Sequence, residues 1–443
     1  AFGKRSYRKL AERIGRTKSS VHRLEQAREK RNQHPESSLW ETEAGVAWLR
    51  LLVFAVLYTF GLDRQVGAEK LSTFFKLIRI DTHIGVSPSA LLKLLNQMEK
   101  LLPLFQQQCE SEAKLSSSHP AVVATDETFL GDNLILVLME LSSGYLILED
   151  LSDDRQFDTW LAKAAPRLEA LGLEVNHAIS DRAKALIKLA MTGFECESGA
   201  DLFHAQQDIS RWLGAKLGRQ QAQAAKQHDA AETALAKAPT DDNLQQLVAS
   251  VDAEMACNVI KARCADYHSE LSGVSDEVHP FSLCDNQPRT SESVVSGLEK
   301  RAQAFEKIAQ SAKIADSKRT LQKFRNQFDG LAVHITFWWQ WVFEILTAMA
   351  VNQATQDWLT HTLLPVVYWH QQWQKTKNPR QREKYRLAWE RASATLQADE
   401  LTATLSDSDM QRWLEWAQWM AGKFYRSSSA VEGRNGYLSQ IHH

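Results

Sequence analysis

Apolar residues first recur at helical intervals over residues 7–31. Leu10 and Ile14 mark one stretch and Val21 and Leu24 the next, with Gly15 and a polar Arg-Thr-Lys break between them. This spacing predicts two short helices joined by a tight turn, with Gly15 supplying a positive φ and small Ala11 at the crossing. Residues 32–39 carry no periodicity and read as a linker. From residue 40 to 115 the helical period returns, with Ser87 before Pro88 as a start signal. The run LSSSHP at 115–120 reads as a loop.

The texture then changes. Short apolar runs at 121–125 and 133–141, a Ser142-Ser143-Gly144 turn and the run 145–150 predict strands, the last two forming a hairpin. Residues 155–171 predict a helix with Phe157, Trp160, Leu161, Ala164, Leu168 and Leu171 on one face. Residues 174–180 predict a strand, 182–192 a helix and 198–203 a last short strand. Such an order builds a sheet covered on both faces. Beyond residue 205 strand signals vanish. Two long helices are expected over 215–271, turning near Pro239, and another helical block over 291–375. Ten of the fourteen tryptophans lie beyond residue 330. At helical spacing they read as core, with a stacking platform for unpaired bases as the alternative.

Composition narrows this picture in three places. The net charge of −2 does not mark a nucleic-acid binder, yet residues 1–34 alone hold eleven Lys/Arg against three Glu. A local excess of that size attracts phosphate. The five cysteines are odd in number and show no CxxC spacing, which argues against a zinc ribbon or a disulfide framework and fits a reducing cytosol. The apolar stretches 44–60 and 331–351 are broken by Arg50 and by His334, Gln340 and Glu344, so buried core helices are expected rather than membrane spans. No signal peptide is visible, and the chain starts at Ala1.

Candidate chemistry lies at the strand ends. Asp126 closes the first apolar run and Asp181 the fourth, which are neighbours in the expected topology. Open α/β sheets place their sites at such ends. Each aspartate alone more readily reads as a turn or helix cap, and it is the pair at matching strand ends that is informative. Near the end of the chain, Ser427, Ser428 or Ser429 can cap a helix that carries Glu432 in its first turn and Asn435 three residues on. Taken alone, Glu432 fits a dipole-complementing residue better, and Glu344, Glu390 and Glu415 compete with it as third carboxylate. Glu127, beside Asp126, points to the opposite face of its strand. In the basic segment, Arg16, Lys18, Ser19, Ser20, His22 and Arg23 sit at the start of the second helix, the position from which a helix-turn-helix reads DNA. Any basic helical hairpin shows the same pattern.

Together, ATDETFLGD with Asp126, AISDRAKAL with Asp181, the Asp201-Leu202-Phe203-His204 quartet and SSSAVEGRNGYLSQIHH with Glu432 resemble a bacterial insertion-sequence transposase of the DDE superfamily. The resemblance is to members with a D-x-x-H signature and a large helical insertion before the Glu. It covers roughly residues 120–205 and 424–443. It implies an α/β RNase H-like core within a predominantly α-helical chain, an N-terminal helix-turn-helix and a large all-α insertion. The implied domains are 1–34, the helix-turn-helix; 35–118, a helical DNA-binding or linker domain; 119–205, the first part of the core; 206–423, the insertion; and 424–443, the final core helix. In the family that helix generally runs further than this chain does.

The implied activity is cleavage at transposon ends followed by attack of the freed 3′-OH on target DNA, without a covalent protein–DNA intermediate. Two Mg²⁺ or Mn²⁺ ions would be held by Asp126, Asp181 and Glu432, with Asp126 bridging both. Asp201, His204 and Asn435 would support these ligands from behind, with direct metal ligation the alternative for His204. Arg182 and Arg434 would contact DNA phosphate, although a solvated helix face fits Arg182 as well. The implied partners are double-stranded DNA, as terminal inverted repeats and target, and further copies of the chain in a dimer or larger multimer. No membrane is implied, and the setting would be a bacterial cytoplasm at the nucleoid. Two other functions fit the same residues: a non-catalytic, domesticated DNA-binding regulator, and an RNase H-fold nuclease that cuts without joining.

Overall fold

The computed structural model describes residues 6–31, 34–113, 119–238, 243–315 and 317–442. The chain is mostly helical, with one small mixed sheet. It divides into two compact units, Ala1–Lys114 and Leu115–His443.

The first unit holds α1 (Tyr7–Ile14), α2 (Lys18–Arg31), α3 (Glu43–Val56), α4 (Ala68–Leu77) and α5 (Pro88–Ala113). Gly15 ends α1 at φ 62° and its N–H returns to the Ala11 carbonyl, as a left-handed C-cap does. Ala11 and Val21 are the buried apolar residues of this pair, while Ile14 and Leu24 stay exposed. Leu49, Val56, Leu57, Leu71, Phe75, Ile80, Leu91 and Leu95 form a separate core under α3, α4 and α5. The helical run Glu43–Asp63 is long and apolar enough to cross a membrane by length and composition. Here the expectation of a buried core helix fails, because only 22% of its apolar window is buried. Trp48, Leu51, Phe54 and Tyr58 face outward, since α4 and α5 cover one side of it alone.

The second unit is built on a five-stranded sheet of order β3-β2-β1-β4-β5. The strands are β1 (His119–Leu130), β2 (Asn133–Glu140), β3 (Leu146–Ser152), β4 (Leu173–Ser180) and β5 (Glu197–Ala200). β2 runs antiparallel to β1 and β3, whereas β1, β4 and β5 are mutually parallel. The β2–β3 turn is clamped by Glu140, whose carboxylate accepts the Ser142 and Ser143 N–H groups at 2.8 and 2.6 Å. His119 and Pro120, read as loop, already belong to β1, while residues 115–118 and the expected turn at Pro239 lie outside the described residues. Two further boundaries differ at the site. Asp126 does not close β1, which continues to Leu130 and turns through Gly131 at φ 63° into β2. Leu202 and Phe203 are not strand, because Asp201 stops β5 and caps a helix instead.

Helices cover both faces of the sheet. α6 (Phe157–Leu171) and α7 (Lys184–Lys188) pack Trp160, Ala164, Leu168 and Leu186 against Ala121, Val123, Leu136 and Leu138. On the other face lie Ala124, Ile135, Val137 and Met139, covered by Val431 of the final helix. Between them run α8 (Leu202–Ile209), α9 (Ala215–Lys237), α10 (Asn243–Glu277), α11 (Ser291–Ser311), α12 (Ser317–Arg325), α13 (Phe328–Ala348), α14 (Gln353–Trp358), α15 (Leu364–Lys375), α16 (Pro379–Ala398), α17 (Glu400–Thr404) and α18 (Asp407–Ala421). The final helix is α19 (Ser429–His442).

This block has one large core, and tryptophans fill it. Trp338, Trp339, Trp358, Trp369 and Trp413 are buried, and Trp341, Trp373, Trp389 and Trp416 pack against them. α13, the second apolar stretch, is a core helix as expected, with Leu331, Ile335, Trp338, Val342 and Leu346 buried. It is locked to the sheet by histidines. His334 Nε2 donates to the Ala200 carbonyl at 2.8 Å, which leaves its Nδ1 to accept from His177 Nε2 at 2.9 Å. Gly199 leaves room for both rings, since a Cβ there would lie 2.4 Å from His334 Cε1.

Candidate functional site

Strand alternation sets the site. Asp126 shares the face of Ala124, where α19 lies, while Glu127 faces the other way and pairs with Arg155 at 3.0 Å. β1–β4 pairing ends at Ala124↔Ile179, so β1 has no β4 neighbour at Asp126. Asp181 follows the last residue of β4 and lies near enough for its charge to raise Asp126. α19 then crosses the face that carries Asp126. Val431 is fully buried against the sheet, Glu432 follows it, and Asn435 lies one turn on.

The contacts are direct. Asn435 Nδ2 donates to Asp126 Oδ2 at 2.7 Å. His204 Nε2 stands 3.4 Å from Glu432 Oε1, and its Nδ1 lies 2.9 Å from Asp201 Oδ2. Asp201 is itself buried, accepts the Phe203 N–H at 2.8 Å and receives the Ser428 hydroxyl. Asp126, Glu432 and His204 therefore meet across 306 residues of sequence, each offering a ligand atom within 4.8 Å of the others.

Charge follows from this packing. Burial pushes the Asp126 carboxyl up to about 6, and Glu432 beside it adds to the rise. The Asp201 hydrogen bond raises His204 to about 9 against the cost of burial, with Asp201, Glu432 and Asp126 all adding attraction. Burial also disfavours ionised Asp201, but the bonds from His204, Ser428 and the Phe203 N–H outweigh it and lower its pKa. At neutral pH the imidazolium thus supplies the cationic charge among the carboxylates.

The same donor set suits a divalent cation. Ligand atoms around an octahedral ion sit about 3 Å apart when adjacent and about 4 Å when opposite, from bond lengths near 2.1 Å. The three ligand atoms here lie within 4.8 Å of one another, as do those of a second, more exposed group on α9, His228, Asp229 and Glu232. Asn435 points to the same ligand. Its side chain is nearly buried, and Oδ1, on the amide that holds Asp126, has no hydrogen-bond partner. A buried acceptor without a donor is costly unless a further group satisfies it.

The remaining sequence candidates fall elsewhere. Asp181 is exposed, outside the three-residue cluster, and its Oδ1 accepts the Ala183 N–H at 2.8 Å. It still lies close enough for its charge to raise Asp126. Arg182 takes φ 61° and turns under α13, where Gly330 makes room for it and its Nη1 is buried. Arg434 does not project to solvent as a phosphate contact would. It grips Glu149 of β3, with Nη2 2.6 Å from Oε1. The competing Glu344, Glu390 and Glu415 are bonded by Gln340, Arg386 and Gln411 and lie outside the cluster. In the first unit Arg16, Lys18, Ser19, His22 and Arg23 are exposed. Ser20 is half-buried, and its N–H is capped by Thr17 Oγ1 at 3.2 Å.

Two residues were not legible as part of the site. Arg426 donates to the Ser275 and Val278 carbonyls at 2.6 and 2.7 Å, and its own carbonyl accepts the Leu202 N–H. It ties the end of α10 to the start of α8. Glu149, the partner of Arg434, carries no signal beyond its charge.

Residues 359–443 match the model of a family described as a family of unknown function (DUF6399), a stretch that includes Glu432 and Asn435 and excludes all three aspartates of the site. No curated protein and no solved structure matches the chain.

Proposed function

We propose that this chain is a DDE-type DNA transposase, a phosphoryl-transfer enzyme that frees a 3′-OH at a transposon end and joins it to target DNA. The observation that carries this reading is the meeting of Asp126 on β1 with Glu432 on α19, next to His204 and within reach of the Asp181 charge. The strand order 3-2-1-4-5, with β2 alone antiparallel to its neighbours, is the order of an RNase H-like core. In that fold carboxylates gather on one face around the central strand. The basic helix pair at Tyr7–Arg31 supports a helix-turn-helix reader of double-stranded DNA, and α9–α18 correspond to a helical insertion ahead of the Glu.

Two Mg²⁺ or Mn²⁺ ions, when bound, supply the charge neutralisation that an in-line displacement at phosphorus requires. Asp126, Glu432 and Asp181 would hold them, and both Glu432 and Asp181 lie near enough for their charges to raise Asp126. Asn435 holds one Asp126 oxygen in a fixed direction and so reduces the ordering required when the ions and DNA arrive. Asp201 and Ser428 hold the His204 ring. Asp126, His204, Glu432 and Asn435 stand on strands and helices, whereas Asp181, Asp201 and Ser428 sit just beyond their ends.

The test is a strand-transfer assay with the full chain and Mn²⁺. Its substrates are terminal-repeat duplexes with a recessed 3′-OH and a supercoiled target plasmid. Joined products in the wild type and none in Asp126→Asn support the reading. Nicking without joining replaces it with a nuclease, and DNA binding without either leaves a DNA-binding regulator.

A further inference from the structure

We infer that His204 is a direct metal ligand, and that the site consists of two unequal cation positions. One is preformed from Asp126, His204 and Glu432, selects Mn²⁺ over Mg²⁺ and loads without DNA. The other, between Asp126 and Asp181, assembles only on DNA. This inference rests on the phosphoryl-transfer reading for its second half, while the first half stands on geometry alone.

The geometry separates two roles that a histidine in this quartet could play. In the metal-free protein His204 presents Nε2–H to Glu432, and a cation that displaces this proton would find the nitrogen between Glu432 and Asp126. The Nε2 edge of His204 faces Glu432 and shares the 4.8 Å cluster with Asp126, while Nδ1 faces backward onto Asp201. A ring nitrogen held by a carboxylate behind it, with the other nitrogen presented forward, is the arrangement of a metal-bound histidine. The carboxylate behind is well fixed. Asp201 is 1% exposed and is bonded by the Phe203 N–H and the Ser428 hydroxyl as well as by His204. The supporting role therefore belongs to Asp201 and Ser428. The partnerless Oδ1 of Asn435 is a second, independent sign of a missing ligand, such as an ion or its water, beside Asp126.

Asp181 behaves differently. It is exposed, it sits outside the cluster, and one of its oxygens already caps the Ala183 N–H. Arg182 next to it is committed to the underside of α13 and does not hold it in place. Without DNA, this side of Asp126 has one carboxylate turned to its own backbone. A scissile phosphate adds the oxygens that the position lacks.

The nitrogen decides selectivity. Mg²⁺ keeps to oxygen ligands and sheds water reluctantly, whereas imidazole suits the transition metals, and Mn²⁺ accepts both ligand types. The preformed position therefore favours Mn²⁺, by about tenfold or more on that chemistry.

The experiment is electron paramagnetic resonance on the full chain, chelator-treated and free of DNA, titrated with Mn²⁺. One bound ion is expected, with ¹⁴N modulation in its spin echo that changes on ¹⁵N-histidine labelling. Mg²⁺ should displace it only in about tenfold excess or more. Asp181→Asn should leave both the count and the modulation unchanged. Asp201→Asn should weaken Mn²⁺ binding by about 10- to 100-fold, the usual effect of losing a ligand's support. His204→Asn should abolish the modulation; the wild-type isotope shift carries the result should that variant fold poorly. Bound Mn²⁺ with no nitrogen modulation, or equal affinity for Mg²⁺, overturns the inference. So do two equivalent ions that both require Asp181. If nitrogen is absent and strand transfer persists, the inference fails and the proposed function stands. If nitrogen is present and no DNA is joined, the metal centre stands and the transposase reading falls.

Discussion

His204 and His279 each sit between two oxygen groups, and they do opposite work. His204 lies between the carboxylates of Asp201 and Glu432, with 29% of its side chain exposed. His279 lies between the hydroxyls of Tyr368 and Tyr385, at 2.5 and 3.1 Å, with no exposure and Trp369 against its ring. Burial, then the charges of Arg426 and Arg289, hold His279 neutral and push its pKa well below the usual range. One residue type thus makes a charged, accessible device in one place and a neutral, satisfied strut in another. The partners decide which: carboxylates stabilise the imidazolium, and phenols in a dry core do not. Arg426 stands between the two regions, since it binds the backbone carbonyl of Val278 next to His279 while its own carbonyl holds the first turn that carries His204.

The sharpest way to break this contrast is to remove one member from each region and read both stability and activity. On the proposed function, Asp126→Asn should lower strand transfer by about a thousandfold or more, because several kcal/mol of charge stabilisation would depend on the ions it would hold. Its thermal midpoint without metal at pH 8 should equal or exceed wild type. The reason is that Asp126, raised to about 6, is ionised there at a cost that the amide does not carry. A large drop in midpoint would make Asp126 a structural residue and erase the contrast.

His279→Ala is the mirror experiment. It opens a cavity among Tyr368, Trp369 and Tyr385 and strands two buried hydroxyls, a combination worth about 3–5 kcal/mol. Chemical denaturation should show this loss, while metal binding by the folded fraction stays as in wild type. A change below about 1 kcal/mol, the scale of an ordinary surface substitution, would mean that the network is not the strut described.

Acid titration sharpens the contrast by sign. His177, His279 and His334 are fully buried, with pKa values below the ordinary 6.5, His334 at about 4. The unfolded chain binds their protons first. Their stability contribution is therefore complete above pH 6.5 and drains away as pH falls below it, down to about 4 for His334. His204 runs the other way in chelator. Its contribution is complete below 6.5 and is lost as pH rises through about 9. Denaturation curves measured from pH 4 to 9 should fall at both ends, and His204→Gln should flatten the alkaline arm alone. An unchanged alkaline arm in that variant would remove the charged role assigned to His204.

Much of this was legible in the sequence for a definite reason. Short apolar runs punctuated by Ser-Ser-Gly and Asp reveal strands, because period and turn chemistry are local. The face on which Asp126 lies follows from counting in twos. What was not legible depends on partners distant in sequence. Asp126 seemed to end a strand because polar residues follow it, yet β2 pairs with that segment through Leu130. Asp201 seemed to sit within a strand, but Ser428 and His204 turn it into a cap. The runs 44–60 and 331–351 looked alike, and only the second finds enough neighbours to bury it. Composition states what a helix can bury, and tertiary contacts decide whether it does.

The smallest expected effect applies the same lesson to charge. Arg434 and Arg16 were both expected to meet DNA. In the fold, Arg434 is paired with Glu149 across to β3 and stacks beside Tyr437, whereas Arg16 stands exposed at the turn between α1 and α2. Losing a phosphate contact lowers the salt dependence of DNA binding by about one counterion, whereas losing a partly buried ion pair costs about 1 kcal/mol of stability and leaves the salt slope alone. Arg16→Gln should therefore flatten the plot of log Kd against log salt by about one unit with the denaturation midpoint unmoved. Arg434→Gln should do the reverse, and removing Glu149 together with Arg434 should cost less than the two single changes added. A salt slope that drops in Arg434→Gln would mean that DNA draws this arginine away from Glu149, and that its pairing here belongs to the DNA-free protein.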